Sequence, residues 1–259
     1  MTGVDGPVVQ RLLVVVAHPD DETFGTGSII ALAAAAGLEV TVCCATSGEA
    51  GEPPPGLTGD LGALREVELR AAGAALGVNR FVLLGYHDSG MGGEPGPETL
   101  VAADFDDVVA RIGAVIDDTA PHVLITLDPD HGDGHRDHIV VGRATVQASK
   151  GRPGMRVYAW ALARPLLARW FAELESVRPD SEHLDLDRVG LGRELHEITA
   201  TVDVSTVLEV REHAMTLHAS QTSPYEGMPP ELRADFLRTD RFVRLLPEGH
   251  SAAVETALF

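Results

Sequence analysis

The run Arg11-Leu12-Leu13-Val14-Val15-Val16-Ala17 ends without a spacer on His18-Pro19-Asp20-Asp21-Glu22, and no other segment constrains this chain as much. A nearly unbroken apolar stretch is what a central parallel strand, buried on both faces, requires. Pro19 fixes its own φ and restricts His18 to an extended form. The strand therefore stops, and the chain turns, where an imidazole and three carboxylates are bunched.

The same rhythm continues. Ser28 to Ala36 reads as a helix, Leu38 to Ala45 as a strand, and Asp60 to Leu76 as a strong helix. Leu61, Leu64, Glu68, Leu69, Ala72 and Leu76 give that helix three-four spacing, and Gly77 stops it. Arg80 to Leu84 is a strand, Val101 to Thr119 a helix, His122 to Leu127 a strand, and a further helix begins near Asp137. This alternation predicts a doubly wound α/β fold: a mostly parallel, Rossmann-like sheet with helices on both faces. The last hundred residues form a less regular extension, with strands over Met155 to Ala161 and Ile198 to Val202 and helices over Leu166 to Leu174 and Ser205 to His218. Glu49 to Gly59, Gly90 to Pro97 and Thr222 to Pro230 read as Gly/Pro-rich loops. No repeat or long linker divides the chain, so residues 1–259 are expected to form one domain.

Two segments converge on chemistry. His18 and Asp21 follow the first strand, and His138, in His135-Arg136-Asp137-His138, follows the strand ending at Leu127. In open parallel sheets, loops meet at the carboxyl ends of strands. His18, Asp21 and His138 supply the two imidazoles and one carboxylate that hold a catalytic Zn2+ with one open position; Fe2+ accepts the same set. Asp20 is then spare, placed to act as a general base on water. Asp137 can take a proton from an imidazole and set its tautomer, and a protonated His135 held by Asp137 would be a proton donor.

Composition excludes other classes. With 39 acidic and 20 basic residues the formal net charge is -19, a field that repels nucleic acid and anionic membranes. No apolar run approaches the roughly 18 residues of a membrane span. Asp5 and the short apolar run after it do not make a signal peptide. Cys43 and Cys44 are adjacent, would face opposite sides of a strand, and fit a reducing cytoplasm better than a disulfide. The partner expected is a small molecule, and a homo-oligomer is compatible with the sequence.

Ala17-His18-Pro19-Asp20-Asp21-Glu22 resembles the signature of the LmbE/PIG-L-like zinc-dependent N-deacetylases. The likeness extends through Thr46-Ser47-Gly48-Glu49, Arg65-Glu66-Val67-Glu68-Leu69, Gly134-His135-Arg136-Asp137-His138 and His218-Ala219-Ser220-Gln221. It implies hydrolysis of an N-acyl group, usually acetyl, from an amino sugar or glycoconjugate such as one built on N-acetylglucosamine. It implies metal ligation by His18, Asp21 and His138, a base at Asp20, and His135, backed by Asp137, at the oxyanion and leaving amine. It also implies that Arg65 meets polar groups of the substrate.

His87-Asp88-Ser89-Gly90-Met91 is most similar to the subgroup acting on glucosaminyl-inositol compounds of mycothiol metabolism, which implies that Asp88 contacts sugar hydroxyls. Glu49 is a candidate to line the pocket. Two positions depart from that subgroup: Asp133 stands where it has tyrosine, and His131 where glycine is usual. The acidic loop Asp128 to Asp133 favours a cationic or polyhydroxyl substrate, with Asp133 among the contacts. Since Asp133 is not one of the three ligands, restoring tyrosine there is expected to change turnover more than metal affinity. The competing readings are another metal-dependent hydrolase, such as a phosphoesterase, and a metal-stabilised sugar-binding protein without activity.

Overall fold

In the computed structural model, which describes residues 10–53, 56–249 and 253–259, the chain begins with β1 (Arg11–Val16). Asp5, and Pro54 and Pro55 of the Glu49–Gly59 loop, lie outside the described residues. There follow α1 (Asp21–Phe24), α2 (Gly27–Ala35), β2 (Glu39–Thr46), α3 (Leu61–Leu76), β3 (Arg80–Tyr86), α4 (Phe105–Thr119), β4 (Val123–Thr126) and α5 (Arg136–Ser149). The remainder is β5 (Arg156–Trp160), α6 (Arg164–Val177), β6 (Ala200–Asp203), α7 (Leu208–Leu217), α8 (Pro230–Leu237) and β7 (Thr239–Leu246).

One sheet runs in the order β3-β2-β1-β4-β5-β7-β6. The first five strands are parallel, and β7 lies antiparallel to both β5 and β6. β1 is central: Leu12 stands opposite Val40 of β2 on one side and Val123 of β4 on the other, and Leu12 to Val16 are fully covered. That two-sided burial is why the strand reads as a continuous apolar run rather than an alternating one. The order reverses between β1 and β4, which is where doubly wound sheets open a crevice.

Local chemistry explains the element ends. Asp60 caps α3 by accepting from the Ala63 N–H at 3.2 Å, and Gly77, at φ 89°, closes it in the left-handed region. The expected helix from Val101 instead begins at Phe105, after a 3-10 turn, because Asp104 caps α4 through the Asp106 N–H. β7 and α8 have no counterpart in the sequence reading. β7 places Asp240 at a buried position and intersperses arginines, so its apolar alternation is broken. No helix among the described residues is long and apolar enough to cross a membrane.

Candidate active site

β1 and β4 lie side by side, so the turn after β1 and the loop after β4 meet at the carboxyl edge of the sheet. His18 Nδ1 lies 3.2 Å from His138 Nε2. Asp21 joins both, Oδ1 at 3.2 Å from His138 Nε2 and Oδ2 at 3.6 Å from His18 Nδ1. Donors about 2.0–2.1 Å from a tetrahedral ion are separated by roughly 3.3 Å. The two imidazoles are spaced for one small metal ion, with the Asp21 carboxylate spanning both rings through its two oxygens, and His135 lies close enough to join His18 and His138 as a donor.

The outward nitrogens explain why the inner ones are free to ligate. His18 Nε2 faces Asp137 Oδ2 and Asp88 Oδ1, each at 3.3 Å. His138 Nδ1 faces the Asp133 carboxylate at 3.0 Å. Carboxylates accept, so the outward nitrogens can keep their protons, and a metal bound between the rings would be met by the two inner nitrogens. Burial opposes charge on His138, yet Asp133 and Asp21 outweigh it and lift its pKa to about 10. The pocket is shaped around positive charge. Asp21 is held independently, Oδ2 accepting from the Ala17 and His18 N–H groups at 3.1 and 2.8 Å.

Asp20 is separated from its neighbour by backbone geometry. It sits at φ 130°, a left-handed conformation that is costly for a residue with a Cβ. Burial pushes its pKa up to about 6, against the pull of Arg65 and with the push of Asp21. Arg65 does not reach toward open space. Its guanidinium donates to Gly48 O and Pro19 O, each at 2.7 Å, and to Asp20 Oδ2 at 3.0 Å. A Cβ on Gly48 would stand 2.5 Å from this guanidinium, so the glycine makes its seat. The paired glycines at 48 and 51 were the sequence signal for an arginine packed there.

His135 is the cap of α5. Its Nδ1 accepts from the Asp137 N–H at 3.2 Å, which leaves the proton on Nε2. The Asp137 carboxylate serves His18 and the Ser89 N–H rather than the His135 ring. Burial first, then the neighbouring His18 and His138, press the His135 pKa down to about 3. The Asp137 carboxylate therefore does not meet the His135 ring, and Nε2–H is the proton that ring can offer. Its ring centroid is 4.5 Å from that of His18 and 4.8 Å from that of His138.

The four residues expected to meet substrate all have protein partners. Arg65 holds Asp20, and Asp88 holds His18 and accepts from the Gly90 N–H. Asp133 holds His138 and accepts from the His135 N–H at 3.1 Å. Glu49 ties the loop after β2 to that after β3, accepting from the Asp88 N–H at 3.1 Å and meeting His87 Nδ1 at 2.7 Å. His131 faces Gly190 O through Nδ1 at 2.9 Å, while Arg193 forks onto Asp128. The acidic loop is therefore internally braced. Arg136, unremarked in the sequence reading, donates to the carbonyls of Ser89, Gly90, Gly92 and Gly93 and so secures the loop after β3.

Comparison with known proteins adds to this geometry. Residues 13–149 match the family described as PIG-L, GlcNAc-PI de-N-acetylase. A 1D-myo-inositol 2-acetamido-2-deoxy-alpha-D-glucopyranoside deacetylase of Mycobacterium sp. (strain KMS) is 36% identical over 245 residues, covering 85% of this chain and 78% of its own. Among solved structures, an N,N'-diacetylchitobiose deacetylase from Pyrococcus horikoshii superposes with a TM-score of 0.62 at 21% identity, covering 92% of this chain and 84% of that one. A 4-carboxy-2-hydroxymuconate hydratase from Pseudomonas putida KT2440 gives a TM-score of 0.62 at 18% identity, covering 94% and 99%. At those identities the two structures speak to the fold alone.

Proposed function

The chain belongs to the PIG-L (GlcNAc-PI de-N-acetylase) family, and from that premise we propose that it hydrolyses an N-acetyl group from an amino sugar, with His18, Asp21 and His138 holding Zn2+. The observation that carries this reading is the convergence of two imidazoles and one carboxylate beside a second, separately held carboxylate. A metal ion bound there supplies a Lewis acid and lowers the pKa of a water; Fe2+ fits the same donors.

The chain's own groups supply the rest. Asp20, fixed by Arg65, takes the proton of the attacking water. Its neighbour Asp21 stays committed to ligation, because its Oδ2 is already tied to two backbone N–H groups. The His135 Nε2–H donates to the oxyanion that develops when the amide carbonyl becomes tetrahedral. As the carbon–nitrogen bond breaks, the pair stays on nitrogen and Asp20 returns its proton to the departing amine. The products are acetate and a free amino sugar.

The likeness to 1D-myo-inositol 2-acetamido-2-deoxy-alpha-D-glucopyranoside deacetylases supports a polyhydroxyl substrate of the N-acetylglucosaminyl-inositol class. One unbroken sheet supports a single catalytic domain, and the two buried free thiols support action in the reducing cytoplasm.

Chelation followed by zinc readdition, assayed on a panel of N-acetyl amino sugars, tests the proposal. Acetate release that vanishes and returns with the metal is expected. Phosphate release from phosphoesters, or hydration without acetate, would replace it.

A further inference from the structure

Glu22 and His218 are both fully buried, and the hydrolytic steps above use neither. Their contacts lead to the base. Glu22 Oε2 accepts the backbone N–H of Asp20 at 2.9 Å. Its other oxygen accepts from Thr23 Oγ1 at 2.5 Å and from His218 Nε2 at 2.8 Å. Among the described residues His218 Nδ1 has no hydrogen-bond partner, so the ring's useful proton is the one on Nε2, aimed at Glu22. The N–H that Glu22 captures belongs to the residue at φ 130°. Such a conformation persists only where its surroundings over-determine it.

We propose that His218 is a positioning residue for Asp20, acting through Glu22 to hold the left-handed backbone that separates the base from the metal ligand beside it. The inference rests on the reading of Asp20 as general base. The rest of the same stretch of chain works the same way. Arg211 of α7 donates to the carbonyls of Thr23, Phe24 and Gly25, and the Tyr225 hydroxyl donates to Phe24 O at 2.8 Å. A segment beyond the 13–149 match thus clamps the turn after β1. Asp21 is anchored differently, on the Ala17 and His18 N–H groups. The two carboxylates therefore have separate supports, and losing one need not disturb the other.

The test compares His218→Ala, His218→Gln and Glu22→Gln with the unaltered protein, each confirmed folded by its thermal transition. Acetate release from N-acetylglucosaminyl-inositol and zinc affinity by chelator competition are measured on all. Partners that orient metal ligands typically contribute ten- to a hundred-fold, and a similar factor is expected of one that orients the base. His218→Ala is expected to lower kcat by about that factor, with KM and zinc affinity unchanged. His218→Gln, whose Nε2 occupies nearly the place of the imidazole donor, should restore most of the rate. If His218→Ala does not fold, Glu22→Gln carries the test, since it keeps the volume but turns one acceptor into a donor facing His218. Unchanged kcat in a folded variant overturns the proposal, as does zinc affinity falling in step with kcat or a Gln variant no better than Ala. An Asp20→Asn protein with full turnover would instead show that the base assignment fails, whatever His218 does.

Discussion

Replacing Asp133 by alanine is predicted to weaken zinc binding, against the expectation drawn from sequence that tyrosine at this position changes turnover more than metal affinity. The Asp133 carboxylate lies 3.0 Å from His138 Nδ1, and its Oδ1 also accepts from the His135 N–H at 3.1 Å. With zinc bound it would keep the proton of His138 on the outer nitrogen and leave the inner one to ligate. Partners of this kind typically contribute 10–100-fold in metal affinity, or about 1.4–2.7 kcal/mol. His18 keeps its own two carboxylates, Asp88 and Asp137, so one ligand loosens and the other does not. Zinc dissociation constants by competition with a chelator are expected to rise by that factor in Asp133→Ala. Asp133→Asn, which retains an acceptor oxygen without the charge, should fall between. Asp133→Tyr should resemble Ala in affinity, because a phenol set two residues before His135 does not reproduce the carboxylate. Unaltered zinc affinity with a raised KM in Asp133→Ala would refute the argument and return this residue to the substrate.

Gly48→Ala should lower kcat while leaving zinc stoichiometric, since its Cβ would displace the Arg65 guanidinium that holds Asp20, and φ +67° adds strain; acetate release with parallel metal analysis checks it. His138→Ala should lose metal and activity together, by elemental analysis after dialysis, because it removes a ligand. Asp240 offers a pH test away from the metal. Burial raises its pKa to about 6, against the opposing charge of Arg211, from an unfolded value near 3.9. The native state thus holds this proton more tightly, so Asp240 contributes stability below about pH 4 that is lost as pH rises through 6. In Asp240→Asn that slope should disappear, and thermal unfolding of both proteins at pH 4.5 and pH 7 reads the difference.

The parts of this molecule that were legible in its sequence are those set by short-range rules. Pro19 and the buried run before it locate the turn after β1, and an apolar strand before the acidic loop locates β4. Their adjacency then brings His18, Asp21 and His138 together. What the sequence hid are choices among equivalent carboxylates made over long distances. Asp137 serves His18 across 119 positions rather than His135 two positions away. Arg65 turns inward to Asp20, 45 positions back. An acidic side chain in an active-site loop looks the same whether it waits for a sugar hydroxyl or braces an imidazole; only the partner decides. β7 was missed for a related reason: a buried Asp240 is unfavourable until Arg211, from another element, is known to face it.

The separation of Asp20 from Asp21 is the centre of this account, and Asp20→Asn tests it most directly. The substitution keeps the volume and leaves an oxygen for Arg65 but removes the base. Zinc content and acetate release should be measured on the same preparation. Near-stoichiometric zinc with turnover reduced by about 10² to 10⁴ is predicted, the usual contribution of a general base. Zinc lost from Asp20→Asn but retained by Asp21→Ala would contradict the account, because the two carboxylates would then have exchanged roles.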